Sequence, residues 1–275
     1  MACRLSRVKN APAAARKGCA KIGAEVKRVI TKVAGTSDKR LHVVSVVLYA
    51  AGFLIGLELA LGTIWANLEA SLFDAAIRQE ASLTSLRCPP LLSPTETALV
   101  RANFHNGAEK PLNFLVRTNI SNGRVTLMRQ IPNTLRLAPG EQEMLAWPVT
   151  AADAAYGRFV LVRVTVLRSP PYPARDAACG IWLIHVPFLT GGQWLALALV
   201  VSLGGMGGGL ALRVWNERPL TGRRRANTLI AAWLAVLVVT LMAVGLLRLW
   251  AVGVVLLAFA VILLGVLLER LVHQS

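Results

Sequence analysis

The chain has 275 residues, 55% hydrophobic and 16% charged, with a mean hydropathy of +0.55. Soluble domains carry roughly a quarter charged residues, so this balance argues against a wholly water-soluble protein. The net charge of +16 fits either nucleic acid or an anionic membrane surface, and four cysteines are too few for a disulfide-rich scaffold.

Residues 1–41 form a basic N-terminal segment with eleven basic and two acidic side chains. Between Ala13 and Ala34, the apolar residues Cys19, Ile22, Val26, Val29, Ile30 and Val33 recur at three- and four-residue spacing. Lys17, Lys21, Lys27, Arg28 and Lys32 take much of the rest. This predicts an amphipathic helix lying on the inner leaflet, where anionic lipid adds about 1 kcal/mol per nearby basic residue. A disordered basic tail is the alternative, and Gly23 and Gly35 would weaken or end the helix. Cys3 and Cys19 are expected as free thiols in a reducing compartment. The acid-free residues 1–24 also fit an organelle transit peptide.

Residues 42–85 are expected to hold a first transmembrane helix and an outward stalk. The run from Val43 to Trp65 is apolar and exceeds the roughly 20 residues that a bilayer requires. Beyond it, Leu68, Leu72, Phe73, Ala76 and Ile77 keep helical spacing among Glu69, Asp74, Arg78 and Glu80, until Pro89-Pro90 ends the helix. Glu58 is the one acid well inside a span, which makes it a functional candidate by default.

Residues 86–190 change period from 3.6 to 2. Ala98, Val100, Ala102 and Phe104 alternate with their neighbours, and Asn106-Gly107 is expected to turn with positive φ. Leu112 to Thr118 continue the alternation, and Ser121-Asn122-Gly123 turns again. Val125 and Leu127 follow, then a short Leu135–Leu137 strand and the Ala138-Pro139-Gly140-Glu141 turn. Strands at 144–149, 159–167 and 179–186 complete about seven, the pattern of an antiparallel sandwich. The Pro-rich stretch Ser169–Pro173 fits a rigid surface loop or an extended partner-facing segment.

The order FHNGAEKPLNFLVRTNIS, LRLAPGEQEMLAWPV, GRFVLVRVTVL resembles bacterial immunoglobulin-like domains of cell-surface and secreted proteins. In those domains an Asn- and Gly-bearing hairpin precedes a Leu-x-Pro-Gly-Glu turn. The resemblance covers about a third of the chain, implies an immunoglobulin-like β-sandwich, and carries no catalytic residue across. Cys88 precedes the first strand and Cys179 opens the last. First and last strands can be neighbours in a sandwich, so a bridge is geometrically plausible and would contribute roughly 4–5 kcal/mol in the chain-entropy model. Two separate thiols are the alternative.

Residues 191–213 are expected to form a second transmembrane helix, apolar from Trp194 to Leu212. Its glycines make two small-xxx-small pairs, Gly204 with Gly208 and Gly205 with Gly209, which favour a close helix contact. A flexible hinge is the other reading. Residues 214–228 form a basic loop, residues 229–270 a hairpin of transmembrane helices 3 and 4 broken at Arg248, and residues 271–275 a tail. One long bent helix is the alternative to the hairpin. Basic residues concentrate in 1–41 (net +9) and 213–227 (net +4), against +3 over 69–190. This excess places both termini in the cytoplasm and the β-domain outside. Arg248 then falls on the side nearer Glu58, and a structural pair between the two is expected.

The expected architecture is four transmembrane helices with an extracytoplasmic all-β immunoglobulin-like sandwich between helices 1 and 2. No HExxH, CxxC, Walker or nucleophile-elbow pattern occurs. Glu96, Glu109 and Asp153 read as solvated surface near turns. No catalytic, metal or cofactor residues are expected, and no nucleic-acid partner. The expected role is a non-catalytic, membrane-anchored binding or assembly subunit of a bacterial envelope complex in the cytoplasmic membrane. Its expected partners are membrane lipids and other envelope proteins, including copies of itself. A transporter or channel component using Glu58 and the Gly-rich helix is the alternative.

Overall fold

The computed structural model describes the backbone of residues 13–77, 81–168, 172–186, 188–216 and 222–272, and their side chains except at 13–39, 77, 125–126, 223–224, 266–268 and 270–272. Cys3, Arg78, Glu80, Ser169-Pro170-Pro171, the loop centre at 217–221 and the tail at 273–275 lie outside the described residues. So do the side chains of Cys19, Lys17, Lys21, Lys27, Arg28 and Lys32.

Helix α1 runs unbroken from Ala13 to Leu72, 60 residues, or about 90 Å at 1.5 Å per residue. The expected end at Gly23 or Gly35 does not occur. A mid-helix glycine costs only about 1 kcal/mol, too little to stop a helix continuous with an apolar span. Three further helices follow the β-domain: α2 (Gly191–Asn216), α3 (Gly222–Leu246) and α4 (Trp250–Val272). Among the described residues, three stretches are long and apolar enough to cross a membrane: Arg40–Leu72, Gly191–Asn216 and Arg225–Leu246. The fourth helix carries a shorter described apolar stretch, Trp250–Gly265.

A short turn separates α3 from α4. Leu249 N–H donates to Val244 O and Arg248 N–H to Gly245 O, at 3.0 and 3.2 Å, with Arg248 at φ 62°. This is the Schellman arrangement, which satisfies carbonyls at a helix end through one left-handed residue.

The β-domain has eight strands among the described residues: β1 (Ala81–Ser82), β2 (Leu91–Leu92), β3 (Ala98–His105), β4 (Leu112–Asn122), β5 (Arg124–Leu137), β6 (Gln142–Val149), β7 (Phe159–Arg168) and β8 (Arg175–Leu183). One sheet has the order β1-β8-β7-β4-β5 with β2 also on β8, and β3 and β6 form a second. The expected all-antiparallel pattern is corrected, because β1 and β2 both pair parallel with β8. The two short strands expected at 125–137 are one 14-residue strand. Pro132 lies inside it opposite Arg117, tolerated because β5 is the sheet edge and its outer N–H positions need no partner.

Gly123 and Gly140 turn at φ 69° and 76°, as their sequence context predicts. Asn106-Gly107 does not, and β3 and β4 lie in different sheets rather than in one hairpin. The fully buried Asn106 side chain shapes that crossing. Its amide donates to Lys110, Leu137 and Ala138 carbonyls and its oxygen accepts from Ala108 N–H.

Both sheets share one core. Val100, Phe104, Trp147 and Val149 from the small sheet join Phe114, Val116, Val162, Val164 and Ile181 from the large one. β7 is buried along almost its whole length. A strand reads as a continuous apolar run when both its faces are covered. Here one face meets that core and the other meets α1.

Candidate functional site: the helix–sheet junction and the Glu58 clefts

The C-terminal end of α1 does not stand free as a stalk. Ala66, Ala70 and Phe73 pack on Phe159 and Leu161 of the large sheet and on Ala155 just before it. The helix turns off at Asp74 (φ 49°), well before Pro89. Close approach needs Gly180 on β8, where a Cβ would run into the Ala66 carbonyl, and Gly62 on α1, where one would meet the Trp182 ring.

Buried polar groups lock this contact. Arg163, 2% exposed in the middle of β7, donates from Nη1 to Asp176 Oδ2 at 2.8 Å and from Nη2 to Ser71 O at 2.9 Å. Ser71 O is one of the last carbonyls of α1, so the cation also meets the negative end of the helix dipole. Asn119 donates to Asp74. Asn67 joins three elements: its amide donates to Thr63 O on α1 and Gly245 O on α3, and its oxygen accepts from Gly180 N–H on β8.

A second set of ties lies nearby. Cys88 and Cys179 form a disulfide across 91 residues of sequence. Arg248 Nη1 donates to Leu86 O at 3.1 Å, joining the α3–α4 turn to the segment leading into Cys88. Burial, with the Arg87 charge beside it, holds the Arg248 guanidinium below the usual arginine value. Glu96 is not a loose surface acid. Its Oε2 accepts from Gly191 N–H at 2.7 Å, the first residue of α2, where carboxylates are favoured. Thr190 and Gln193 form a reciprocal capping box at the same end. Asp153 is buried, paired with Arg129 at 3.2 Å.

The expected Glu58–Arg248 pair is not formed, since Arg248 reaches Leu86 instead. Glu58 is exposed and makes no hydrogen bond or ion pair among the described residues. It stands between two clefts. One, of about 310 Å³, lies between α1 and α2 and is lined by Ile55, Leu59, Leu197 and Val201 with Trp182 and Trp194. The other, wider and more open at about 820 Å³, runs up the far side of α1 past Gly62 and Trp65 to Arg158 and His185. Trp194 Nε1 is buried with no acceptor among the described residues.

The α2 glycines divide. A Cβ on Gly205 would meet Gly52 and Leu48, and one on Gly209 would meet Tyr49 and Ser45. Gly208 touches only the tip of Leu48, and Gly204 faces open space. On α1 the matching notch is Gly52 with Gly56, itself a small-xxx-small pair that the sequence reading passed over. Ser45 donates to Gly209 O and Tyr49 to Ala231 O. Among the described residues no three His, Cys, Asp or Glu side chains are placed to share a metal ion.

No family model and no curated protein matches the sequence. Among solved structures, similar segments occur in a Bacteroides uniformis β-glucuronidase (17% identity, 33% of this chain and 12% of that one, TM-score 0.27) and a Listeria innocua β-glucosidase (16% identity, 38% and 16%, TM-score 0.26). The chain thus spans under a sixth of either enzyme's length, and similarity at this level carries no argument about activity.

Proposed function

We propose that this chain is a membrane-anchored binding or assembly subunit of a bacterial envelope complex, without catalysis of its own. In this reading the β-domain is an immunoglobulin-like sandwich on the outer side, with both termini in the cytoplasm. The observation that carries it is the junction. Three bonds join the domain to the helices: Gly180 N–H of β8 donates to Asn67 Oδ1 of α1, Arg163 of β7 donates to Ser71 O at the end of α1, and Arg248 of the α3–α4 turn donates to Leu86 O of the domain. A tethered enzyme domain needs no fixed attitude to its anchor, whereas a part that aligns extramembrane and intramembrane surfaces for one partner does. Two sheets around one core and a disulfide linking the domain's entry to its last strand support the sandwich reading.

Mild-detergent extraction with crosslinking is expected to yield stable stoichiometric partners. Recovery of the protein as a monomer, with neither another protein nor a second copy trapped by crosslinking, counts against the reading. Orientation is tested separately. With Glu109→Cys, an exposed position in the β3–β4 loop, a membrane-impermeant maleimide is expected to label intact cells. Labelling only after lysis reverses the topology.

A further inference from the structure

Resting on the assembly reading, we infer that the cleft between α1 and α2 at Glu58 receives the Lys or Arg side chain of a partner's membrane-spanning helix. Glu58 sits one helical turn below Gly62, where the Trp182 ring closes over α1. The cleft therefore opens beneath the overhang of the β-domain, toward the bilayer. A carboxylate facing an apolar surface is costly unless a cation meets it, and among the described residues no cation pairs with Glu58.

The lining matches one kind of occupant. Ile55, Leu59, Leu197 and Val201 offer apolar contact for an alkyl stem. Glu58 offers the counter-charge, and the indoles of Trp182 and Trp194 are the aromatic surfaces that attract ammonium and guanidinium groups best. The wider cleft on the other side of α1 is less suited, because Arg158 and His185 stand at its outer end. At about 310 Å³ the α1–α2 cleft admits a side chain rather than a backbone. Its rim continues along α2 as exposed Leu197, Val200 and Val201. A helix laid there covers all three while inserting its basic residue, which a free alkylammonium cannot do.

The test uses the full chain in vesicles of digalactosyldiacylglycerol, an uncharged lipid, with fluorescent Leu-Ala transmembrane peptides. One peptide carries a Lys about one turn inside its outer end, one carries it near the inner end, and one has none. Energy transfer is expected to show the first associating at least about tenfold more tightly than the others. Glu58→Gln should remove that preference, and Glu58→Lys should transfer it to a peptide with Glu at the same depth. Equal association of all peptides, or an unchanged preference in Glu58→Gln, overturns the proposal. So does binding of dodecylammonium at Glu58 without any of the Lys peptide, which would make the site one for a free amphiphile. In native membranes, partners lost from wild type count against assembly itself. Partners retained undiminished by Glu58→Gln count against the cleft alone.

Discussion

A guanidinium in the middle of a strand written Phe-Val-Leu-Val-Arg-Val-Thr-Val has to be compensated, because an unpaired buried charge is among the costliest defects in a fold. Arg163 is compensated twice, by the Asp176 carboxylate beside it and by the Ser71 carbonyl ending α1. The pair need not be favourable compared with apolar residues of the same shape. Removing one member is another matter. Arg163→Met is expected to destabilise the protein by about 3–5 kcal/mol, since Asp176 stays buried without a partner. Arg163→Met with Asp176→Leu should recover most of that loss, and a thermal melt of the two variants in detergent measures it. Recovery in the double variant assigns the cost to the orphaned acid. Persistence of the loss assigns it to the missing Ser71 bond, and hence to the docking of α1. Arg248 shows the converse case. Its backbone holds a left-handed conformation that glycine adopts more cheaply, and its side chain reaches the β-domain.

Glycines decide how closely the elements approach. Without a Cβ, α1 and α2 meet backbone to backbone at Gly52 and Gly205, and β8 meets α1 at Gly180. Gly205→Ala or Gly209→Ala is expected to force the two helices apart and lower the melting temperature. Gly204→Ala and Gly207→Ala, which face open space, should be neutral or stabilising by up to about 1 kcal/mol through helix propensity. If all four behave alike, the contact is misassigned. This split explains what the sequence could disclose. Two overlapping four-residue spacings in α2 announce a close contact without saying which pair makes it, because a helix presents both sets on adjoining faces. Gly52 and Gly56 carried the same signal in α1. Alternation located the strands, since burial on one face writes itself at period two. The parallel pairing of β1 and β2 left no trace, for two-residue strands have no period. The roles of Glu96 and Asp153 were legible only in their local half. Ser93 and Thr150, whose N–H groups they accept from, stand three residues before them in capping-box spacing, whereas the start of α2 and Arg129 meet them only through the fold.

At the scale of the molecule, the β-domain and the helices are mutually dependent. The apolar face of β7 and β8 that α1 covers would otherwise meet water, and Phe159, Leu161 and Trp182 make that exposure unfavourable by about 1.5–3 kcal/mol for each large side chain uncovered. The domain's other half is closed by its own sheets and by the Cys88–Cys179 bridge. The cross-link limits how far an opened domain can expand, but it lies on strand β8, the same strand that α1 clamps through Gly180 and Asn67. Loss of helical structure should therefore withdraw cover from the sheet, and loss of the sheet should expose the C-terminal end of α1 from Gly62 onward. Domain and bundle are expected to melt as one unit: protease cleavage within β4–β5 and loss of helical circular dichroism should occur over the same temperature interval. Reducing the disulfide should lower that interval without dividing it, because the α1 contact survives reduction. Asn67→Ala combined with Arg163→Met removes the polar ties of α1 to β7 and β8 while leaving the bridge, and is expected to divide it, with the sheet opening first. Two separated transitions in the unaltered protein would mean that the bonds at Asn67, Arg163 and Arg248 do not couple the parts, and that the domain rides on the membrane bundle as an independent body.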